Sequence, residues 1–310
     1  HLDAVAFDGD RLTSDSYRAM ARATADLAER MGRLSPADAA SVQRLLLDHP
    51  GVAPVAEGGP GVVTVLHTTD DLGKHRGRMA GRVAVVMTMG ALHEGHLSLV
   101  RAARTAADHV IVTIFVNPLQ FGDARDLELY PRTLDADVAL LTGLGAAAPD
   151  VVFAPSADQM YPDGAAGLGA RVLAGETSLG YEGGSRPGHF DGVLTVVGKL
   201  LHLTRADVAV FGQKDAQQLA VIRAMVRALD WPTWVLAAPI VRDSDGLALS
   251  SRNVRLSAQG REHALALSRA VEAASRLANA GANAQQVLAA GRAELVDAPG
   301  VELDHADLVD

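Results

Sequence analysis

The sequence contains no cysteine, so disulfide bonds, a thiol nucleophile and cysteine-ligated metal sites are excluded. It also lacks an apolar run long enough to span a bilayer, and its N-terminus does not resemble a signal peptide. Acidic residues outnumber Lys and Arg by 37 to 28, and the net charge of −9 disfavours nucleic acid as a partner, because nucleic-acid binding calls for clustered positive charge. We therefore expect a soluble, cytoplasmic protein with no nucleic-acid or membrane partner.

Apolar residues make up 48% of the 310 residues, which is enough for the core of one large or two modest domains. Short β-branched runs at 83–87, 110–116, 151–153 and 208–211 alternate with helical patterns after His96 and at 134–141, 193–203 and 216–228. Such alternation predicts an α/β fold with a Rossmann-like parallel sheet and helices on both of its faces.

The same patterns divide the chain into four parts. Residues 1–50 are predicted to form a helical appendage, and residues 51–61 are rich in Pro and Gly, as linkers are. Residues 62–240 are predicted to form the Rossmann-like domain. Residues 241–310 are predicted to form a smaller α+β domain with helices at 262–277 and 283–298 and a strand-like alternation at 301–309. The chain starts with His1 rather than Met and ends inside that alternation, so we expect a fragment or a fusion product whose C-terminal domain is truncated.

The first candidate site lies where the run at 83–87 gives way to a helix. Gly90 permits a tight turn there, and His93 and His96 lie three residues apart at the helix entrance. Unpaired backbone N–H groups and the positive end of the helix dipole at this entrance favour phosphate. One alternative is a metal pair, although His-Glu-Gly-His is one residue short of the H-E-x-x-H spacing; another is a pair of ordinary surface histidines. The strand, glycine and helix together favour a nucleotide-binding His-x-Gly-His (HxGH) element of the nucleotidyltransferase type.

Two further candidate segments follow other strands. Asn117 either builds a turn with Pro118 or faces the site, whereas the amide of Gln120 offers a small polar substrate a donor and an acceptor. The Gly- and Pro-rich connection at 155–192 is typical of a functional loop, and its Arg186 and His189 are candidates for contact with an anionic substrate.

The last two motifs contain cations and hydroxyls. Lys214 is suited to neutralising a phosphate, Asp215 to holding a ribose hydroxyl or Mg²⁺, and Gln218 to binding a second substrate, although a capped helix start with solvated charges has the same pattern. The segment 250–252 offers two serine hydroxyls and a guanidinium to a triphosphate. Because His93, Asn117 and Lys214 each follow a different parallel strand, one crevice at the carboxyl ends of the strands would collect them.

With the four motifs at 87–96, 115–122, 211–218 and 241–257 in this order, residues 62–310 resemble the pantothenate synthetase family, the ligases that join pantoate and β-alanine. The resemblance implies that the pantoate carboxylate attacks the α-phosphorus of ATP and that the β-alanine amine then attacks the enzyme-bound pantoyl adenylate. It also implies Mg²⁺ with the triphosphate, a homodimer, and a place in pantothenate and coenzyme A biosynthesis. Such chemistry needs no protein nucleophile, and no Ser-His-Asp or Cys-His arrangement stands out in the sequence.

The resemblance further implies roles for individual residues. His96 matches the residue usually given as the proton donor, and His93, Lys214 and Arg252 are the other catalytic candidates. The implied pantoate contacts are Gln120, Gln218, Asn117 and His189, and Gln120 is also the implied β-alanine contact. The implied ATP contacts are Met89, Gly90, Ala91, Leu92, His93, Glu94, Gly95, His96, Gly212, Gln213, Lys214, Asp215, Val241, Leu249, Ser250, Ser251 and Arg252. No metal site formed by protein ligands is predicted.

The sequence departs from the family pattern at Met87, Ala216 and Leu249, where proline, an aromatic residue and methionine are usual. Residues 1–61 are foreign to the pattern; through 17–26 and 32–38 they resemble the helical tail of a Rossmann-type reductase-like family. Two other functions stay open: a different nucleotidyltransferase, and a nucleotide-binding or assembly module without turnover. The two glutamine amides disfavour a phosphorylated acceptor, which would call for additional Arg or Lys.

Overall fold

The structure is a computed structural model that describes residues 63–122, 124–165, 167–296 and 298–309. The predicted helical appendage at 1–50 and the predicted linker at 51–61 lie outside the described residues. The described chain divides into two compact units, residues 63–239 and residues 240–309.

The first unit is built on a six-stranded sheet in which all neighbouring strands run parallel. In chain order the strands are β1 (Thr64–Leu66), β2 (Val83–Thr88), β3 (His109–Ile114), β4 (Val151–Phe153), β5 (Val208–Gly212) and β6 (Trp234–Ala238). The sheet confirms the predicted α/β class, and all four predicted runs form strands. β1 and β6, the two edge strands, were missed: β1 has only three residues, and the five apolar residues of β6 do not distinguish a strand from a helix segment by periodicity.

Helices connect and cover the strands. They are α1 (Thr69–Arg76), α2 (Glu94–Ala106), α3 (Ala124–Glu128), α4 (Leu134–Thr142), α5 (Ala157–Met160), α6 (Tyr181–Ser185), α7 (His189–Thr204) and α8 (Ala216–Ala228). The predicted helix at 193–203 begins earlier, at His189, because Gly188 adopts a φ of 78° and separates it from the preceding segment. α1 was missed because Leu72 is its only buried residue.

Burial on both faces explains the apolar runs of the central strands. Val83, Val85 and Ile111 pack in one continuous core with Leu194 of α7 and Ile222 of α8. Ala84 and Val86, which point to the opposite face of β2, are also fully buried. A parallel strand covered on both faces reads as an uninterrupted apolar stretch, as it does here.

The strand order places a topological switch point at β2. The spatial order β1-β4-β3-β2-β5-β6 puts β3 on one side of β2 and β5 on the other. Connections from β2 and from β5 therefore leave the sheet on opposite sides, which opens a crevice at their carboxyl ends. The segments that follow β2, β3 and β5 meet at this edge, and they contain His93, Asn117 and Lys214.

The second unit consists mainly of two helices, α9 (Ala258–Asn279) and α10 (Ala284–Val296). They are preceded by a hairpin-like turn closed by an antiparallel bridge between Arg242 and Ala248. The predicted strand at 301–309 is wrong: the described residues of this segment form no strand. Its alternating apolar side chains, Val301 and Leu303, instead pack beside Leu295 and the small residues of α9. Across both units, no described helix is long and apolar enough to cross a membrane.

Candidate functional site

Two histidines cap the helix that follows β2. His93 is the N-cap of α2 in an extended conformation, and its Nδ1 accepts a hydrogen bond from the Gly95 backbone N–H at 3.1 Å. Nδ1 of His96 accepts in turn from the His93 backbone N–H at 3.3 Å. The two imidazole rings lie with their centroids 4.1 Å apart. The pair forms a reciprocal capping box in which both side chains are fixed by the backbone.

This arrangement determines which nitrogen of each ring is protonated. A backbone N–H can only donate, so Nδ1 of both rings must be an unprotonated acceptor, and the neutral imidazole then has its proton on Nε2. Burial lowers the pKa of His93, with the Lys214 ammonium adding to the effect. Burial lowers the pKa of His96 to about 3, with His93 and Lys214 as further causes. Both rings therefore present neutral Nε2–H donors.

The expectation that the backbone N–H groups at this helix entrance are unpaired is wrong for six of them. These N–H groups donate within the protein instead: those of Gly90, Ala91, Leu92, His93, Gly95 and His96. The other donors at this turn are side-chain groups, namely the histidine Nε2–H groups and the Lys214 ammonium. The sequence analysis named these side chains as candidates, and only its expectation about the backbone N–H groups differs from the structure.

Asp137, which the sequence reasoning missed, takes two of those backbone donors. Its side chain is buried on α4, where Oδ1 accepts from Leu92 N–H at 2.7 Å and Oδ2 accepts from Ala91 N–H at 3.0 Å. The hydroxyl of Thr133 donates to Oδ2 as well, at 3.2 Å. One signal was available in the sequence: Asp137 shares one stripe of α4 with Leu134 and Leu141, and an acid on an apolar stripe needs a partner.

The turn held by Asp137 is conformationally demanding. Gly90 has a φ of 84°, and a Cβ there would lie 3.1 Å from the Asp137 carboxylate and 3.2 Å from Ile114. Ala91 follows at a φ of 51°, a left-handed conformation that costs a residue with a side chain about 1 kcal/mol or more. The hydrogen bonds to Asp137 offset this strain, so the carboxylate sets the path of the chain into His93.

Asn117 and Gln120 occupy a short 3₁₀ turn, Pro118–Gln120, after β3. Asn117 is buried, and its amide makes hydrogen bonds to Gln120, to the Gly192 carbonyl, to Leu119 N–H and to Tyr161. These contacts use the whole capacity of the amide. Gln120 is half-buried, and its Nε2 lies 3.1 Å from Sδ of Met89. Of the two amides, that of Gln120 is therefore the one that keeps hydrogen-bonding capacity for a further partner.

Arg186 and His189, which were predicted to contact an anionic substrate, make hydrogen bonds to the backbone of the same turn. Nδ1 of His189 lies 2.9 Å from the Gln120 carbonyl oxygen and Nη2 of Arg186 lies 3.2 Å from it. Arg186 is also paired with Glu182 at 2.6 Å. α7 can approach this closely because Gly192 faces the turn, where a Cβ would overlap the Leu119 carbonyl. The structure assigns both side chains a role in supporting Gln120.

Lys214, Asp215 and Gln218 follow β5, as predicted. The Lys214 ammonium is partly exposed, lies 3.3 Å from the Asp215 carboxylate, and is close enough to both histidines to depress their pKa values. Gln218 is half-buried in the first turn of α8. Its neighbour Gln217, which the sequence reasoning also missed, binds the Thr177 and Gly180 carbonyls and so anchors the 175–180 segment to α8.

The remaining predicted ATP contacts, Val241 and Leu249–Arg252, belong to the second unit. Leu249 N–H donates to the Val241 carbonyl at 2.9 Å, and Ser250 Oγ caps the 3₁₀ turn Ser251–Arg255 by accepting from Arg252 N–H. Arg261 of α9 holds the intervening turn, since its Nε and Nη2 each lie 2.7 Å from a carboxylate oxygen, of Asp245 and Asp243 respectively. The Arg261 guanidinium thus clamps the turn that precedes residues 249–252, and Arg242 adds a hydrogen bond to the Gly246 carbonyl.

Replacing Arg261 by Gln should release this clamp, because an amide cannot span two carboxylates as the guanidinium fork does. We expect amide hydrogen exchange at Gly246, Leu247 and Leu249 to accelerate about tenfold. Arg276→Gln on the same helix is the control, because Arg276 makes an exposed pair with Glu272 away from this turn. Equal exchange rates in the two variants would contradict the assignment.

The first unit therefore combines a parallel sheet, a switch point at its central strand and an HxGH pair at the strand-to-helix turn. These features define an α/β fold of the nucleotidyltransferase type. A family profile described as Pantoate-beta-alanine ligase matches residues 64–310, and the chain belongs to that family.

Individual relatives agree with this assignment. The chain is 58% identical over 211 residues to the pantothenate synthetase of Streptomyces avermitilis. The alignment covers 67% of this chain and 61% of that protein, so the chain spans less than two thirds of that relative's length. It is similar to the crystal structure of pantothenate synthetase from Thermus thermophilus, with a TM-score of 0.72, 43% identity, and coverage of 78% of this chain and 85% of that one. A pantoate-beta-alanine ligase from Francisella tularensis, complexed with beta-gamma ATP and β-alanine, gives a TM-score of 0.62 at 34% identity, covering 76% of this chain and 87% of that one.

Proposed function

We propose that this chain catalyses the ATP-dependent condensation of (R)-pantoate with β-alanine to pantothenate, AMP and pyrophosphate. Besides family membership, the main support is that three kinds of group lie on segments that follow adjacent strands. These groups are the neutral Nε2–H donors of His93 and His96, the Lys214 ammonium and the Gln120 amide. This set offers donors and one cation to a polyphosphate, with an uncharged amide beside them for a small hydroxy acid.

In the proposed first step, a pantoate carboxylate oxygen attacks the α-phosphorus of ATP and pyrophosphate leaves, giving pantoyl adenylate. In the second step, the β-alanine amine attacks the acyl carbon, loses its proton, and AMP leaves. The protein contributes positioning and charge stabilisation: the two imidazoles donate from Nε2 to phosphate oxygens as charge develops, and Lys214 neutralises the phosphates. Since His96 is neutral in the free protein, we propose that it donates a hydrogen bond and does not act as an imidazolium proton donor.

The proposed residue roles divide the site into two groups. Gln120 and Gln218 are the proposed pantoate contacts, and Gln120 is also the proposed β-alanine contact. Asn117 and His189, for which the resemblance implied direct pantoate contacts, are proposed instead to support Gln120 through hydrogen bonds. The proposed ATP contacts run from Met89 to His96 and from Gly212 to Asp215, and continue at Val241 and from Leu249 to Arg252. Residues 62–240 would act as the ATP- and pantoate-binding domain and 241–310 as a lid. A homodimer in the cytoplasm is the proposed state of the protein.

We also propose Mg²⁺ as a companion of the triphosphate. Among the described residues, no three His, Asp or Glu side chains lie close enough together to hold a metal ion. An ion at this site would therefore take most of its oxygen ligands from the phosphates and water, as Mg²⁺ commonly does, with Asp215 as the available carboxylate. When bound, it would neutralise charge on the leaving pyrophosphate.

The proposed activity predicts that pantoate triggers pyrophosphate release from ATP before β-alanine is added. Lys214→Ala should reduce this burst at least about 100-fold, because removing one donor to a developing phosphate charge has effects of that order. Lys74→Ala, which removes an exposed ammonium of α1, should leave it unchanged. Pyrophosphate release that does not depend on pantoate would point to another acceptor, and ATP binding without release would point to a binding module; either result would overturn the proposal.

A further inference from the structure

A chain of hydrogen bonds connects a buried phenol to the proposed pantoate site. The Tyr161 side chain is only 1% exposed, and its Oη lies 2.8 Å from Oδ1 of Asn117. Nδ2 of Asn117 lies 3.0 Å from Oε1 of Gln120, and Nε2 of Gln120 lies 3.1 Å from Sδ of Met89. We call Tyr161, Asn117 and Gln120 the amide relay.

The backbone fixes the direction of this relay at Asn117. Leu119 N–H, which can only donate, lies 3.3 Å from Oδ1, and the Gly192 carbonyl, which can only accept, lies 3.2 Å from Nδ2. Oδ1 of Asn117 is therefore the acceptor end, so the Tyr161 hydroxyl must donate to it. Burial raises the pKa of Tyr161, which keeps this donor protonated. Oδ1 of Asn117 therefore accepts two hydrogen bonds, one from Leu119 N–H and one from the Tyr161 hydroxyl.

The orientation of Asn117 determines the orientation of Gln120. Nδ2 of Asn117 can only donate, so Oε1 of Gln120 is held toward it and the Gln120 NH₂ group is held on the opposite side. That group faces Met89, the first residue after β2, whose thioether is only a weak acceptor. The backbone of Gln120 is fixed independently, because Arg186 and His189 bind its carbonyl. Both the position and the polarity of this amide are therefore set before a substrate arrives.

We propose that Tyr161 and Asn117 are positioning residues that present the NH₂ end of Gln120 to the substrate, so that the site selects an acid offering a carboxylate or hydroxyl oxygen at this point. The inference rests on the proposed function, since it concerns the recognition of pantoate. Preorganised donors avoid an ordering cost on binding, and a site built to donate rejects an analogue that lacks the acceptor. Tyr161 thus contributes to specificity without contacting the substrate.

The test is a double-mutant cycle between Tyr161 and Gln120. Tyr161→Phe removes the hydroxyl and keeps the ring, which packs edge-on against Phe115 with centroids 5.9 Å apart. We expect KM for pantoate to rise about tenfold, the equivalent of one hydrogen bond, with KM for ATP changed less than about twofold. In a Gln120→Ala background the same substitution should change KM for pantoate less than about twofold, because the relay acts only through Gln120. Tyr130→Phe makes the same change at another buried tyrosine of this unit and should have no effect on KM for pantoate.

The outcomes separate the relay from the proposed function. If pantoate does not trigger pyrophosphate release in the unmodified chain, the function falls first. If it does, then equal rises in both KM values, additive effects in the cycle, or an unchanged KM for pantoate would each overturn the relay. Should Tyr161→Phe fail to fold, Asn117→Asp provides the second variant. It replaces the NH₂ group by an acceptor, so the Gln120 amide should reverse its orientation. KM for pantoate should then rise more than about tenfold, while KM for ATP stays within about twofold. An Asn117→Asp protein with unchanged KM for pantoate would overturn the relay equally.

Discussion

Replacing Asp137 by Asn should lower kcat/KM for ATP by about 100-fold, although Asp137 touches no substrate in the proposed mechanism. The carboxylate accepts from both Ala91 and Leu92 N–H, whereas an amide offers one oxygen and turns an N–H donor toward the other backbone N–H. One buried N–H then loses its acceptor, at a cost of about 1–3 kcal/mol. Ala91 leaves its left-handed conformation, and the capping histidines move with it; displacements near 1 Å at reacting groups reduce rates by about 100-fold.

Steady-state kinetics with ATP varied at saturating pantoate and β-alanine would measure this effect. Asp135→Asn is the matched control, because Asp135 is an exposed acid on the first turn of the same helix. The thermal midpoint of Asp137→Asn should fall, yet the folded fraction at the assay temperature should not account for the loss of activity. An Asp137→Asn protein with kcat/KM for ATP within about threefold of the control would show that the turn keeps its shape without the carboxylate.

The α/β class and the central strands could be predicted because strands buried on both faces leave an uninterrupted β-branched run. The runs that became β2 and β3 are of this kind, and the glycine turn after β2 marked where the following helix begins. The edge strand β6 was missed although Trp234–Ala238 is apolar throughout, because a five-residue run that ends in two alanines does not distinguish a strand from a helix segment. At 301–309, alternation correctly indicated one buried face but not the partner, which is a pair of helices and not a sheet.

At the site, the sequence identified which segments meet but not how their hydrogen bonds are distributed. Four residues were recognisable because each has a side chain suited to phosphate or a polar substrate and lies just after a predicted strand: His93, His96, Gln120 and Lys214. The place of Asp137 on an apolar stripe indicated a buried acid, but its role was not predictable, since its partners are backbone N–H groups 45 and 46 residues away. Asn117 and His189 have side chains suited to a substrate, and only the folded structure reveals that Gln120 and its neighbours already occupy them. The partners that satisfy the donors and acceptors of a side chain depend on the three-dimensional fold and cannot be read from the order of residues.

His96→Gln and His96→Asn should separate the two roles of this histidine. A glutamine amide places an N–H donor where Nε2–H lies but leaves no acceptor at Nδ1, whereas an asparagine oxygen replaces Nδ1 and leaves no donor at Nε2. If His96 donates a hydrogen bond from a neutral ring, we expect His96→Gln to lose about tenfold in the rate of pantoyl adenylate formation and His96→Asn about 100- to 1,000-fold. Their stabilities should rank in the opposite order, because only asparagine keeps an acceptor for His93 N–H.

The pH dependence of stability provides an independent arm of the same experiment. Burial beside His93 and Lys214 lowers the pKa of His96 to about 3, below the 6.5 of an unperturbed histidine. Between these two values the unfolded chain binds a proton that the folded chain does not, so the free energy of unfolding contributed by His96 falls as the pH falls, by up to about 1.4 kcal/mol per pH unit. Both variants lack this titration, and their urea midpoints should therefore fall less steeply than that of the unmodified chain below pH 6.5. Equal loss of adenylate formation in the two variants, together with an unchanged acid dependence of stability, would indicate instead that the ring acts as a charged proton donor.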